Sequence, residues 1–365
     1  MHKKFFEEIP FIRAIACIMV VLVHVTSGTI TAENGSVNYL NLYLYQLTRL
    51  GTPIFAVVSA FLLFSSVKRS GFNIKRFFLS RTTKILLPFI LWTFGYLYFK
   101  IYSGQDVFTD KERTIKYFVL GTGYYHLYFI ITVIQFYIIF PLLQLIRGRK
   151  LVLTLFFLSL PLNAYWLMNA EGNTQIELLN SILTHRSFLL NWISFFMFGA
   201  VLAHFYSEIL EFVKRQKLLF LILAGLVFTA LCVEINPDHI FTSSRPINLI
   251  YVPVFVLFLL SIHEKISKNP MVIKVLNVIG NYSMGIFLVH PFVKVQISKY
   301  LTSDFWNTPL ILVTTILIMF ISMVIIRLIL FLPKSNYLVP VGKAKREDRQ
   351  SKKAVLNTSP VISAK

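Results

Sequence analysis

Three histidines sit in segments that are otherwise apolar, a setting in which imidazole is suited to proton transfer near neutral pH. The first such segment, FIRAIACIMVVLVHVTSG at 11–28, holds Arg13 and His24. They are eleven residues apart. In a helix that is about 1100° of rotation, ~20° past three turns, with a rise of roughly 16 Å. The guanidinium and the imidazole therefore share one face at different depths. An ionisable group inside a membrane helix is a functional candidate; snorkelling of Arg13 to the headgroups is the bland alternative. Cys17 lies on the same stripe, as a small packing residue in the first instance and an acyl carrier only as the rarer alternative. The stretch GTGYYHLYFI at 121–130 adds Tyr125 and His126, and NYSMGIFLVHP at 281–291 adds His290. No local histidine pair has metal-ligand spacing and no carboxylate accompanies them in the spans, so no metal site is expected.

Two further motifs bear on binding. GTPIFAVVSAFLL at 51–63 puts Ser59 in mid-span, where a hydroxyl either bonds the preceding turn or shapes a pocket. RFFLSRTTKILLP at 76–88 places Arg81 and Lys84 at a span boundary. That cluster is either an orientation signal alone or a site for a phosphate-rich ligand. Arg13, Arg81 and Lys84 suit phosphates, whereas His24, His126 and His290 suit activation of a hydroxyl.

The elements that must position these groups follow from composition. Of 365 residues, 56% are hydrophobic and 14% charged, which a wet surface would not tolerate. The expected fold is all-α, a polytopic membrane bundle of about ten helices, each apolar stretch of about 20 residues crossing the hydrocarbon. The spans are predicted near 9–28, 50–67, 85–103, 124–146, 151–168, 188–206, 218–233, 247–264, 275–299 and 309–333. Pro291 is a candidate kink in the ninth. The first stretch is long and charged and lacks a small-residue cleavage site, so it is expected to remain as a span. The net charge of +20 is concentrated in alternate loops, such as Lys68 to Lys84 and Lys214 to Lys217. The positive-inside rule then places both termini in the cytoplasm. This charge is read as topology and contact with anionic lipid, not as nucleic-acid binding. Residues 1–333 form the expected membrane domain, and 334–365 a short, basic, disordered cytoplasmic tail. Two cysteines, Cys17 and Cys232, support no disulfide framework.

The order and spacing of these motifs resemble the integral-membrane acyltransferase-3 family, over roughly residues 9–333. Arg13 and His24 match its first-span Arg, ten residues, His pattern. Ser59-Ala60 resembles its Ser-Gly motif, Arg81 to Pro88 its R-x-x-R-I-x-P motif, Tyr125 to Phe129 its Y-H-L-W-F-type motif, and Tyr282 to Pro291 its late S-Y-x-x-Y-L-x-H-P-type motif. Ala60 and Lys84 depart from the usual Gly and Arg, which weakens close backbone approach and bidentate phosphate contact at those points.

The resemblance implies an O-acyltransferase of the cell membrane that moves an acetyl or succinyl group from cytoplasmic acyl-CoA to a hydroxyl of a surface carbohydrate or exopolysaccharide. His24 is then the catalytic base, Arg13, Arg81 and Lys84 hold the donor, and Ser59, Tyr125, His126 and His290 meet the acceptor. Acyl-CoA is the donor substrate, with no permanently bound cofactor. The expected partners are acyl-CoA, the glycan acceptor and the bilayer, with glycan-synthesis proteins as candidates beside them. No SGNH hydrolase-like domain is expected after the tenth span. The rival reading is a polysaccharide exporter without acyl chemistry.

Overall fold

In hydrocarbon the backbone amides find partners only within a helix or a closed barrel, and this chain takes the helical solution. The computed structural model describes residues 6–32, 38–145, 148–170, 175–237, 241–301 and 305–342, and among these there is no strand. Helix α1 runs Glu8–Ala32, α2 Tyr39–Thr48 and α3 Gly51–Ser70. Helix α4 (Ile74–Arg81) passes through a π turn, Thr82–Leu86, into α5 (Leu87–Tyr102). After α6 (Lys111–Val119) come α7 (Tyr128–Leu143), α8 (Arg149–Asn169), α9 (Glu177–Thr184) and α10 (Ile193–His204). The chain continues through α11 (Tyr206–Arg215), α12 (Lys217–Val233), α13 (Asn248–Ser267), α14 (Pro270–Tyr300) and α15 (Ile311–Ile329).

Every expected span contains helix. Eight stretches of the described residues are long and apolar enough to cross a membrane, and α11 with α12 adds a ninth as a pair bent by 86°. The protein is a multi-pass membrane bundle. The fourth span is shorter than expected, 16 residues from Tyr128. Its first part is instead a run of tight turns, with Leu127 N donating to Tyr124 O and Phe129 N to His126 O. Gly121 opens that run at φ +72, where a side chain would be strained. Such irregular backbone survives at depth because it is enclosed by protein. Helix α14 runs on through Pro291 to Tyr300.

Helix α1 is the axis of the bundle. It packs on α14, α3, α2 and α15. Of its most apolar window 78% is buried, against 17% for α8, which presents Phe157, Leu158 and Tyr165 outward. An arginine and a histidine are tolerated in α1 because it meets protein on most sides rather than lipid. Close contact depends on small residues, as elsewhere in membrane bundles. A Cβ at Gly280 of α14 would stand 1.9 Å from Pro10 O of α1. Between α3 and α10 the near approach comes from Gly199, whose added Cβ would lie 2.9 Å from that of Ala60.

The expected tail needs correction at its start. Residues 334–342 are ordered against the bundle. Val339 is fully buried with Ile286 and Ile326, because Leu338, Val339 and Val341 give this stretch, which holds one lysine, an apolar stripe. Residues 343–365 lie outside the described part.

Candidate active site

Helix α1 positions one group at each end of a central site. At the Arg13 end a cavity of about 810 Å³ opens between α1, α3, the 81–85 turn, α7 and α14. Arg13, Ser59, Arg81 and Lys84 all line it, so the three predicted donor cations and the predicted mid-span serine meet at one void. Arg13 is held there by Ser283, whose hydroxyl accepts from Nε at 3.1 Å and from Nη2 at 2.8 Å. Arg81 lies over the rings of Phe77 and Tyr137, 5.6 and 5.5 Å from their centroids, and its buried Nε has no hydrogen-bond partner. The π turn at 82–86 widens the helix just where Thr83, Lys84 and Ile85 face the cavity, a distortion common at functional sites. Much of the remaining wall is apolar, with Phe55, Leu62, Phe129 and Val133. Among the described residues no carboxylate lines this cavity.

The histidines gather toward the other end. His24 stacks on His290 at 5.4 Å between centroids, and His126 meets His290 edge-on at 5.7 Å. Tyr125 lies 4.6 Å from His24. Three distant segments therefore deliver their rings to one cluster. His290 is fully buried, and its Nδ1 is 2.8 Å from Ile286 O. A carbonyl only accepts, so Nδ1 carries the proton and Nε2 is left as a base. That Nε2, both nitrogens of His126 and the Tyr125 hydroxyl are buried without partners. Native interiors seldom leave so many polar atoms unpaired; grouped around half-buried His24, they form a polar cluster with donors and acceptors to spare for a ligand. Among the described residues no group of three His, Cys, Asp or Glu is arranged to hold a metal ion.

Phe287 joins the two halves. It lines the cavity, and its ring is 5.1 Å from His126 and 6.3 Å from His290. Ser283, Phe287 and His290 follow one another at i, i+4 and i+7, a single face of α14. Sequence reasoning singled out only His290 of these three. The helical spacing of the 281–291 motif was the signal that would have found the others. Cys17 is not on the cavity. It is buried in the α1–α14 seam with Sγ 3.9 Å from Ser283 O, as a packing residue would be.

Residues 6–328 match the model of the acyltransferase-3 family, described as an acyltransferase domain. Among curated proteins, the chain is 26% identical over 326 residues to a probable poly-beta-1,6-N-acetyl-D-glucosamine export protein of Staphylococcus aureus (strain MSSA476). That alignment covers 86% of this chain and 90% of the relative. A protein of the same description from Staphylococcus epidermidis is 24% identical over 332 residues, covering 88% of this chain and 90% of that protein. No solved structure matches the chain.

Proposed function

Because the chain belongs to the integral-membrane acyltransferase-3 family, we propose that it transfers an acetyl or succinyl group from acyl-CoA to a hydroxyl of a surface carbohydrate or exopolysaccharide. One observation carries this reading: a cavity lined by cations, with no carboxylate among its described lining residues, meets through Phe287 a cluster of unpaired histidine nitrogens. The first half suits a polyanionic donor. The second suits an acceptor alcohol that must lose a proton. The ~16 Å along α1 between Arg13 and His24 is about five extended residue lengths at ~3.3 Å each. A slender pantetheine arm, itself built of amide-linked units, is of that order.

In the reaction His24 takes the proton of the acceptor hydroxyl while that oxygen attacks the thioester carbonyl carbon. The C–S bond then breaks, and the proton passes from His24 to the leaving thiolate. The Tyr125 hydroxyl and His126 are near enough to donate toward the oxyanion that develops on the carbonyl. Direct transfer needs no carrier thiol, which agrees with the seam position of Cys17. The donor enters from the cytoplasm if the positively charged loops face that side.

The description of the relatives as probable export proteins favours a second reading, polysaccharide export. Against it stands the cluster of buried histidine nitrogens without partners, which suits proton transfer from a hydroxyl and which export alone does not require. The test measures ester-linked acyl released by mild base from envelope carbohydrate. Three strains are compared: the deletion, the deletion with wild type, and the deletion with His24→Ala at equal membrane level. Acyl restored by wild type alone supports the transferase. Acyl unchanged in all three, with glycan held inside the deletion strain, supports the exporter.

A further inference from the structure

Residues 334–342 close one side of the donor cavity. Ser335–Tyr337 form a single 3-10 turn that packs against the π turn at 82–86. Beyond it, Trp92 Nε1 donates to Leu338 O at 2.9 Å, and Gly342 N donates to Asn281 O at 2.9 Å. Between those ties Val339 inserts against α14. Its Cγ1 stands 2.6 Å from where a Cβ on Gly285 would be, so a larger residue at 285 would push the segment away. The segment is thereby fixed to α5 and α14, and Lys334, Asn336, Tyr337, Pro340, Val341 and Gly342 become cavity wall.

Lys334 is the residue whose presence packing does not explain. It is exposed, and at φ 57, ψ 21 it is the one non-glycine with positive φ among the described residues. Glycine or asparagine would hold that left-handed conformation at less cost. A strained residue that contributes little packing points to its side chain. That side chain brings a fourth cation to a cavity already lined by Arg13, Arg81 and Lys84. One carboxylate or one phosphate would not require four cations. A ligand with several phosphate groups would.

We propose that residues 334–342 are a fixed wall of the donor site, and that Lys334 is a specificity-determining contact for the phosphate-bearing head of the acyl donor. The proposal rests on the acyl-transfer reading and adds to it. It selects nucleotide-linked thioesters over simple ones at a position that lies beyond residue 328, where the family match ends.

The experiment uses the full chain in nanodiscs of zwitterionic lipid, so that anionic headgroups cannot supply the phosphate. Wild type, Lys334→Gly and Lys334→Arg are titrated with CoA, and turnover is measured with an acyl-CoA and with the phosphate-free N-acetylcysteamine thioester. Lys334→Gly is expected to weaken CoA binding roughly three- to tenfold, up to ~1.4 kcal/mol. Its melting temperature should equal or exceed that of wild type, because glycine relieves the left-handed backbone. The KM for the phosphate-free thioester should not move, and Lys334→Arg should restore CoA binding. Equal CoA affinity in wild type and Lys334→Gly overturns the proposal. So does a parallel loss for both thioesters, which would make 334 a shape element without a charge role. Restoration of the CoA defect only by anionic lipid would assign Lys334 to the headgroups and overturn it as well. Wild type that binds no CoA removes the acyl-donor reading itself and this proposal with it.

Discussion

Replacing His24 by glutamine tests the chemistry most directly. Glutamine keeps a polar side chain of similar size but cannot take up a proton at neutral pH. A positioned general base contributes about 10²–10⁴ in rate, which is ~2.7–5.4 kcal/mol on the barrier. The structure favours the upper part of that range, because His290, stacked on His24, is not placed to take over. His290 is committed through Nδ1 to Ile286 O at 2.8 Å, and its ring centroid is 5.4 Å from that of His24. A base must come within about 2.6–3.2 Å of the proton it removes, and His290, fully buried on α14, cannot move that far without repacking. A kcat fall of about 10³ or more is therefore expected. The KM for acyl-CoA should change less than about threefold, since the cations proposed to hold the donor are roughly 16 Å away along α1. The assay is release of free CoA by the purified chain in nanodiscs with a soluble oligosaccharide acceptor. A His24→Gln variant that folds normally and keeps kcat within threefold of wild type would sink the assignment. A rise in KM with kcat unchanged would instead make His24 a binding residue.

Three other variants probe the frame around this group. Ser283→Ala removes the hydroxyl that accepts from Arg13 at 2.8 and 3.1 Å. The expected result is a KM for acyl-CoA raised roughly five- to tenfold with little change in kcat, less than a full charged hydrogen bond because Arg13 is only half-buried; an unchanged KM would show that the pair holds helices rather than donor. Cys17→Ala should retain activity, because the thiol lies in the α1–α14 seam and off the cavity. Mass-spectrometric capture of an acyl group on Cys17 would contradict direct transfer. Gly280→Val should abolish folded protein in size-exclusion profiles, since its Cβ would stand 1.9 Å from Pro10 O and overpacking at a helix crossing costs about 1–3 kcal/mol or more. A variant with wild-type yield and melting temperature would mean that the crossing is looser than drawn.

Much of this was legible in the sequence because period and composition act locally. Apolar runs of membrane length marked the spans, and the eleven-residue interval put Arg13 and His24 on one face of α1. The cations and histidines could be sorted into two chemical groups before their positions were known. What escaped was set by tertiary contact. Gly121 and the turns after it took 124–127 out of the fourth helix, whose apolar run begins in earnest at 128. Ser283 and Phe287 read as ordinary helix residues until α1 and α7 were brought against α14. The stretch at 334–342 was assigned to a disordered tail on its charge, but the three apolar residues at 338, 339 and 341 decide its fate by packing on α14, α15 and Trp92. Charge described its surroundings, and the short apolar stripe described its structure.

The division of labour along α1 bears on how a donor and an acceptor meet within a membrane. A reaction between groups delivered from opposite ends needs a fixed distance between the donor's anchor and the catalytic base. Loops set such distances poorly, whereas a buried helix sets them by its rise. Here the Arg13 guanidinium and the His24 imidazole belong to one helix packed on most sides, and α14 repeats the arrangement with Ser283 at one depth and His290 at the other. The two helices are locked together where Gly280 meets Pro10. Movement of either helix along the other would part Ser283 from Arg13 and His290 from His24 at once. In the proposed reaction the α1–α14 pair would act as the ruler of the site, and adaptation to different acyl groups would fall to the apolar wall at Phe55, Val133 and Phe287 between its two marks.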